Sequence, residues 1–239
     1  MEHPKVSICM PIYNRNKFLP LIIFNLQGLI YDDKSKLEFV IDDDGTEKLF
    51  KDINNEKEFE KQISPITLKY FHTNNKRTIG EKRNNLIKMS THKIIACMDS
   101  DDIYFPEYIE YSVETLIKNK YGLVGSNEML FLYPHLNWKL TAIRCGAKRQ
   151  IHEATCIFTK KHARSMGGFK KNNQGEGGKM VDYNDKNVGL TEITRLMVCI
   201  CHDDNTINKD MFIDKTLVDC EFSPKIMNII NNIFLLNKN

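Results

Sequence analysis

Four short apolar runs recur through the first half of the chain: "VSICM" (6–10), "LEFVI" (37–41), "ITLKYF" (66–71) and "KIIACM" (93–98). Between the first and second lies "KFLPLIIFNLQGLI" (17–30), with apolar residues at helical spacing. Between the third and fourth, "GEKRNNLIKMS" (80–90) reads as a helix with one apolar edge, and after the fourth "FPEYIEYSVETLIKNK" (105–120) reads as a helix opened by Pro106. Apolar strands alternating with helices demand a mostly parallel central sheet covered on both faces, an α/β architecture.

After Tyr121 the pattern changes. The stretches "GLVGSNEMLFLY", "LTAIRCG", "EATCIFTK" and "ITRLMVCIC" read as strands, with a helix over 160–166 and a glycine-rich loop, "NNQGEGGK", over 172–179. The tail 223–239 reads as a helix with Ile226, Ile229, Ile230, Ile233 and Phe234 on one stripe, packed on the body. No repeat or low-complexity linker interrupts the chain, so the expectation is one domain over 1–239, with a first half to 126, a mixed second half over 127–222 and a terminal helix.

Composition narrows the partners. The formal charge of +3 comes from 34 basic and 31 acidic residues that are interspersed, so no basic block points to nucleic acid. The seven cysteines form no C-x-x-C pair and sit mostly in apolar runs, which argues against a disulfide framework or a zinc ribbon and for a reducing compartment. No apolar run reaches the roughly 18 residues of a membrane span, and the first residues lack an apolar signal region. A soluble, cytoplasmic protein is the expectation.

Charge collects where the strands end. Asp42, Asp43 and Asp44 follow "FVI", and Asp99, Asp101 and Asp102 follow "IIACM". Ligands of open parallel sheets bind beyond the carboxyl ends of the strands, and two adjacent negative mouths there call for a cation. A divalent metal accepts several carboxylate oxygens and still has positions left for phosphate.

Four motifs then stand in register: "PIYNR" (11–15), "DDGT" (43–46), "GEKRN" (80–84) and "DSDD" (99–102). In this order the chain resembles the family 2 type of GT-A glycosyltransferases, closely over about 5–110 and loosely to about 206. The resemblance implies a GT-A, Rossmann-like fold and transfer of a sugar from a nucleoside-diphosphate donor, a UDP-sugar, to the hydroxyl of a glycan, glycoprotein or other acceptor, with inversion. It implies Mn2+ or Mg2+ as cofactor, with Asp101 as direct metal ligand and Asp99 as partner to the metal or the ribose. Donor contacts are implied at Pro11, Ile12, Tyr13, Arg15, Asp43, Asp44, Arg83, Asp99 and Ser100, with Asp43 reading the base.

The same resemblance places a general base in an acidic loop after G-G-F. Here Gly167, Gly168 and Phe169 are followed by Glu176, and Gly177 stands where the aspartate is more usual, leaving Glu176 or Asp182 as the base. His202, just past the last strand, is implied as a further metal ligand, and nitrogen among carboxylates favours manganese. His152 is an acceptor-site candidate, and Trp138 with Tyr133 could stack on a sugar ring or simply pack. Two other readings use the same residues. "DDDGT" from Asp42 to Thr46 imitates the nucleophile loop of HAD-type phosphatases, with Asp42 attacking phosphate and Asp44 protonating the leaving group. An inactive transferase fold kept as a binding module is the other.

Overall fold

The computed structural model describes residues 2–144, 151–181, 185–203 and 205–234. The apolar runs are strands β1 (Val6–Ile12), β2 (Leu37–Asp43), β3 (Thr67–His72) and β4 (Ile94–Cys97), paired in parallel in the order β3-β2-β1-β4. Strands β1, β2 and β4 are buried on both faces, which explains their mostly apolar runs, while β3 at the sheet edge is exposed to half-buried. Ile8, Met10, Phe39 and Ile41 enter one core layer, while Cys9, Val40, Ile95 and Cys97 enter the other.

Helices α1 (Leu19–Gly28), α2 (Ile53–Ile63) and α4 (Tyr108–Lys118) bury Leu21, Ile22, Leu26, Phe59, Ile109 and Val113 in the first layer. Helix α3 (Ile79–Met89) covers the opposite face through Leu86. It starts with a capping box, in which Thr78 and Glu81 satisfy each other's backbone N–H groups, so its first turn is held in place. Helix α2 was not legible from periodicity, because "INNEKEFEKQI" buries only Phe59 and Ile63. Its one clear mark is Asp52, whose carboxylate accepts from the amides of Asn54 and Asn55 at the N-cap.

The expected strand "GLVGSNEMLFLY" is two. Strand β5 (Ile103–Tyr104) precedes them; β6 (Leu123–Gly125) stays in the main sheet and β7 (Glu128–Tyr133) moves to a second one. Ser126 makes the crossing, its backbone held by Thr155 Oγ1 and by the His152 amide. With β8 (Lys139–Arg144), β9 (Ile157–Thr159), β10 (Val188–Leu190), β11 (Met197–Ile200) and β12 (Thr216–Leu217), the order of the main sheet is β10-β6-β9-β4-β1-β2-β3 and of the second β12-β8-β7-β11-β5. Antiparallel β9 lies between β4 and β6, and helix α5 (Lys160–Ser165) follows it directly. The short helix α6 (Gly178–Val181) ends the glycine-rich loop, and α7 (Pro224–Phe234) buries Ile226, Ile230 and Ile233. Tyr133 is wholly in the core and Trp138 packs on Phe222 at 5.9 Å, so both are packing residues.

The chain leaves β1 toward β2 and β3 on one side and returns to β4 on the other. That reversal opens a crevice at the carboxyl ends of β1 and β4, where open α/β sheets take their ligands.

One close approach locks the crevice's far wall. A Cβ on Gly80, in the first turn of α3, would lie 1.7 Å from the carbonyl oxygen of Lys170, so only glycine lets the 169–177 loop seat on the helix. Gly80→Ala should cost about 1–3 kcal/mol, as overpacking does, and lower Tm by roughly 2–4 °C per kcal/mol. Gly28→Ala, where nothing lies within 4 Å, should hold or raise Tm in the same thermal scan.

Candidate active site

The turn after β4 is built before it is charged. Asn25 of α1 donates to the Asp102 carbonyl at 2.8 Å and accepts from the Tyr104 amide at 3.1 Å, while the Asp99 amide donates to Tyr104 Oη at 2.8 Å. Asp102 is buried, and burial, with the charges of Asp101 and Asp99, holds its carboxyl far above the usual aspartate range. It accepts from the Ile200 amide at 3.2 Å and so ties the turn to the end of β11. Asp102 is a brace, and it brings His202 to Asp101: His202 Nε2 lies 3.2 Å from Asp101 Oδ2.

The cleft at the crevice has two lobes that share Arg83, Asp99 and Asp101. The larger is lined by Pro11, Tyr13, Arg15 and Ser100 and by a basic pair, Lys76 and Arg77. The smaller is lined by His152, Glu153, Gly175, Glu176 and Lys209. Of the residues implied as donor contacts, Pro11, Tyr13, Arg15, Arg83, Asp99 and Ser100 are therefore together in one cleft.

Ile12, Asp43 and Asp44 are not. The Ile12 side chain is in the core, and its carbonyl accepts from Lys82 Nζ at 2.9 Å. Asp43 is fully buried and accepts from the amides of Gly45 and Leu49 and from Tyr70 Oη, at 2.9, 2.8 and 2.7 Å. Asp44 pairs with buried Lys82 at 2.6 Å and accepts from the Arg77 amide at the same distance. Asp42 lies within β2, held by Arg77 and by Asn85. The acids of β2 and its turn are held by internal partners, and none of them lines either lobe. The phosphatase reading fails on the same fact, since Asp42 is buried and bonded on the α3 side.

Arg83 joins the rest. Its Nε donates to Glu176 Oε1 at 3.0 Å and one terminal nitrogen donates to Asp99 Oδ1 at 2.9 Å, while the other terminal nitrogen, Nη1, is buried without a partner among the described residues. Next to it, Asn84 donates to the Phe169 carbonyl and accepts from the Phe169 amide, both at 2.8 Å, clamping the G-G-F loop to α3. Burial pushes the Glu176 carboxyl above the usual glutamate range, opposed by Arg83 and reinforced by Glu153. Burial also acts to raise Asp101, but the His202 hydrogen bond and the Arg15 charge 3.5 Å away outweigh it and hold its carboxyl below the usual range.

Asp101 and His202 supply one carboxylate oxygen and one imidazole nitrogen, a mixed set that suits Mn2+ and also admits Mg2+. Among the described residues no group of three His, Cys, Asp or Glu stands close enough to hold a metal unaided, since Asp99 is turned to Arg83. The pair fits an open site that a ligand's own oxygens complete. His202 is wedged between Phe18 at 5.3 Å and Phe234 of α7 at 4.9 Å, so the terminal helix fixes its ring. Asp182 lies outside the described residues. His152 lines the smaller lobe, and burial lowers its imidazole to about 4, which keeps it neutral. Sequence reading missed Lys76, Arg77 and Glu153; the adjacent pair "KR" just before the "TIGE" cap was the available signal for the first two.

With this geometry in hand, the comparisons converge. A family profile described as "Glycosyl transferase family 2" matches residues 7–190. The chain belongs to glycosyl transferase family 2. An uncharacterized glycosyltransferase of Rickettsia bellii is 30% identical over 121 residues, 51% of this chain but only 16% of that protein. The chain thus spans a small part of the curated relatives' length. In fold it is similar to the mannosyltransferase PcManGT of Pyrobaculum calidifontis, solved with GDP-Man and Mn2+, at TM-score 0.65 and 16% identity over 97% of this chain and 69% of that one. It is similar also to S. aureus TarS 1-349 in complex with UDP-GlcNAc, at TM-score 0.66 and 14% identity over 96% and 65%. The GT-A fold of a family 2 glycosyltransferase is therefore the fold of this chain.

Removing Arg83 should expose how the cleft is held. Breaking a buried ion pair costs about 3–5 kcal/mol, the expected loss for Arg83→Met in urea unfolding at pH 7. Glu176 binds its proton more tightly folded than unfolded, so its contribution favours folding below about 4.5 and is lost as pH rises through the raised value. Without Arg83 that value climbs further. The variant should therefore lose less stability at about pH 5 than at pH 7, and adding Glu176→Gln should restore most of the loss at pH 7.

Proposed function

We propose that the chain is a metal-dependent, inverting glycosyltransferase that moves a hexose from a nucleoside-diphosphate sugar, a UDP-sugar or GDP-sugar, to a hydroxyl of a glycan, glycoprotein or other acceptor. The observation that carries this reading is the cleft itself. Arg15, Lys76, Arg77 and the unpartnered Nη1 of Arg83 converge with Asp99 and Asp101 at the switch point of a family 2 fold. Cations facing one another across a cleft call for a polyanion, and a diphosphate places its charge between them.

In this reading Pro11, Tyr13 and Ser100 shape the nucleoside wall, and Arg15, Lys76 and Arg77 take the diphosphate oxygens. Asp43 and Asp44 act at second hand, holding the turn after β2 and, through Lys82, the end of β1. Asp101 and His202 would hold Mn2+ or Mg2+, whose charge stabilises the leaving diphosphate. The smaller lobe receives the acceptor next to Arg83, where Glu176 and Glu153 offer carboxylates and neutral His152 a hydrogen bond. The first half, to about 126, binds the donor, and the half over 127–222 the acceptor, within one domain. The six described cysteines are unpaired and five are buried, which supports a reducing, cytoplasmic setting. Among the described residues no helix is long and apolar enough to cross a membrane.

Calorimetric titration with UDP and GDP, with and without Mn2+, tests the reading. Wild type should bind one of them only with metal, and Asp101→Asn should lose that binding, because an amide is a far poorer ligand than a carboxylate. Equal binding by the variant without metal would defeat the assignment of Asp101.

A further inference from the structure

The smaller lobe holds two carboxylates that differ in how they are tied. Glu176 sits in the glycine-rich loop, is almost wholly buried, and has its Oε1 committed to Arg83 at 3.0 Å. That oxygen is occupied by the guanidinium, so a proton taken there would break the pair and leave buried Arg83 with less of its compensating charge. Glu153 is half-buried and has no cation partner among the described residues. Its Oε1 accepts from the Gly177 amide at 3.1 Å, and its second oxygen has no partner among the described residues.

Its backbone is rigid as well. Glu153 opens a 3-10 turn, Glu153–Thr155, just before β9. His152 caps that turn, and the Ala154 carbonyl accepts from the buried hydroxyls of Tyr104 and Tyr108 at 3.2 and 3.4 Å. The same Tyr104 hydroxyl accepts from the Asp99 amide, so the Glu153 turn and the Asp99–Asp102 turn share one anchor. A group meant to meet a reacting atom is best held this way.

Gly177 adds an independent observation. A Cβ there would lie 2.7 Å from Glu153 Cγ and 3.1 Å from Glu153 Oε1, so a side chain at 177 and the Glu153 carboxylate compete for the same space. An acid at 177 would have to displace the carboxylate that reaches that place from 153.

We propose that Glu153 is the general base of the transfer, a catalytic residue contributed by the turn before β9 rather than by the glycine-rich loop. Resting on the transferase reading above, this assigns the proton: it passes from the acceptor hydroxyl to Glu153 as the acceptor oxygen bonds to the anomeric carbon. The bond from that carbon to the diphosphate oxygen breaks, its electron pair leaves with the nucleoside diphosphate, and Glu153 releases the proton to water. Glu176 is then a positioning residue that aims Arg83.

The test uses water as the acceptor, following release of UDP from UDP-GlcNAc and of GDP from GDP-mannose by the full chain with Mn2+. Glu153→Gln keeps an oxygen for the Gly177 amide and should fold and bind UDP or GDP as wild type does. Its kcat should fall at least about a hundredfold with donor KM unchanged, the usual loss on removing a positioned base. Glu176→Gln should act on donor KM instead. The decisive variant moves the carboxylate: Glu153→Ala should be inactive, and adding Gly177→Asp should restore kcat, because the new side chain enters the vacated space. Glu153→Gln at the wild-type rate with intact binding, or no rescue by the double variant, overturns the assignment and leaves the transferase reading standing. Failure of wild type to bind either nucleotide overturns the transferase reading and the assignment with it. Tight binding without turnover of either donor overturns the catalytic role and favours a binding module.

Discussion

A buried guanidinium between two carboxylates organises this molecule. Arg83 extends from α3 to Asp99 after β4 and to Glu176 in the glycine-rich loop, so three segments distant in sequence share one ion-paired centre. A buried cation without partners would be costly, and a carboxylate as buried as Glu176 would hold its proton rather than its charge. Each is tolerable only with the other. The cleft is therefore tied together at one point, and Nη1 of Arg83 is left as a donor without a partner among the described residues.

Around that centre the family motifs act first as braces. Lys82 ties Asp44 to the end of β1, Asn84 clamps Phe169, and Asn14 accepts from the Glu47 amide while donating to Thr46, so "YNR" grips "DDGT". The "DSDD" residues all line the cleft, "PIYNR" and "GEKRN" reach it in part, and "DDGT" lines neither lobe. Motif residues that never line it still decide where Arg15, Asp99 and Asp101 stand, which is why a transferase of this kind needs all four segments in register.

Strands β1, β2 and β4 were legible because burial on both faces leaves their runs mostly apolar, and α3 because its sequence shows one apolar edge. Helix α2 was not, since a mostly solvated helix with two buried residues carries little periodicity, and β10 is three residues long. The internal partners of the acids at the end of β2 were not legible. Asp42, Asp43 and Asp44 have the composition of a metal mouth, but main-chain amides, Lys82, Asn85, Arg77 and Tyr70 bond to them, partners up to 43 positions away that no local pattern reveals. The basic pair Lys76–Arg77 was visible and unread. Glu153 was unreadable, because its meaning depends on a glycine 24 residues later whose missing side chain leaves it room.

The central claim is that a nucleoside diphosphate and a divalent ion meet at the crevice between β1 and β4, beside Arg83. Paramagnetic broadening by Mn2+ measures this directly, in an amide correlation spectrum of the full chain recorded with UDP or GDP present. The predicted result is broadening centred on Asp99–Asp102 and His202, reaching Tyr13–Arg15 and Arg83, dependent on the nucleotide and reversed by chelation. The amides of Val6 and Leu37 at the opposite ends of their strands should stay sharp. Broadening centred on Asp42–Asp44, or broadening that ignores the nucleotide, would contradict it.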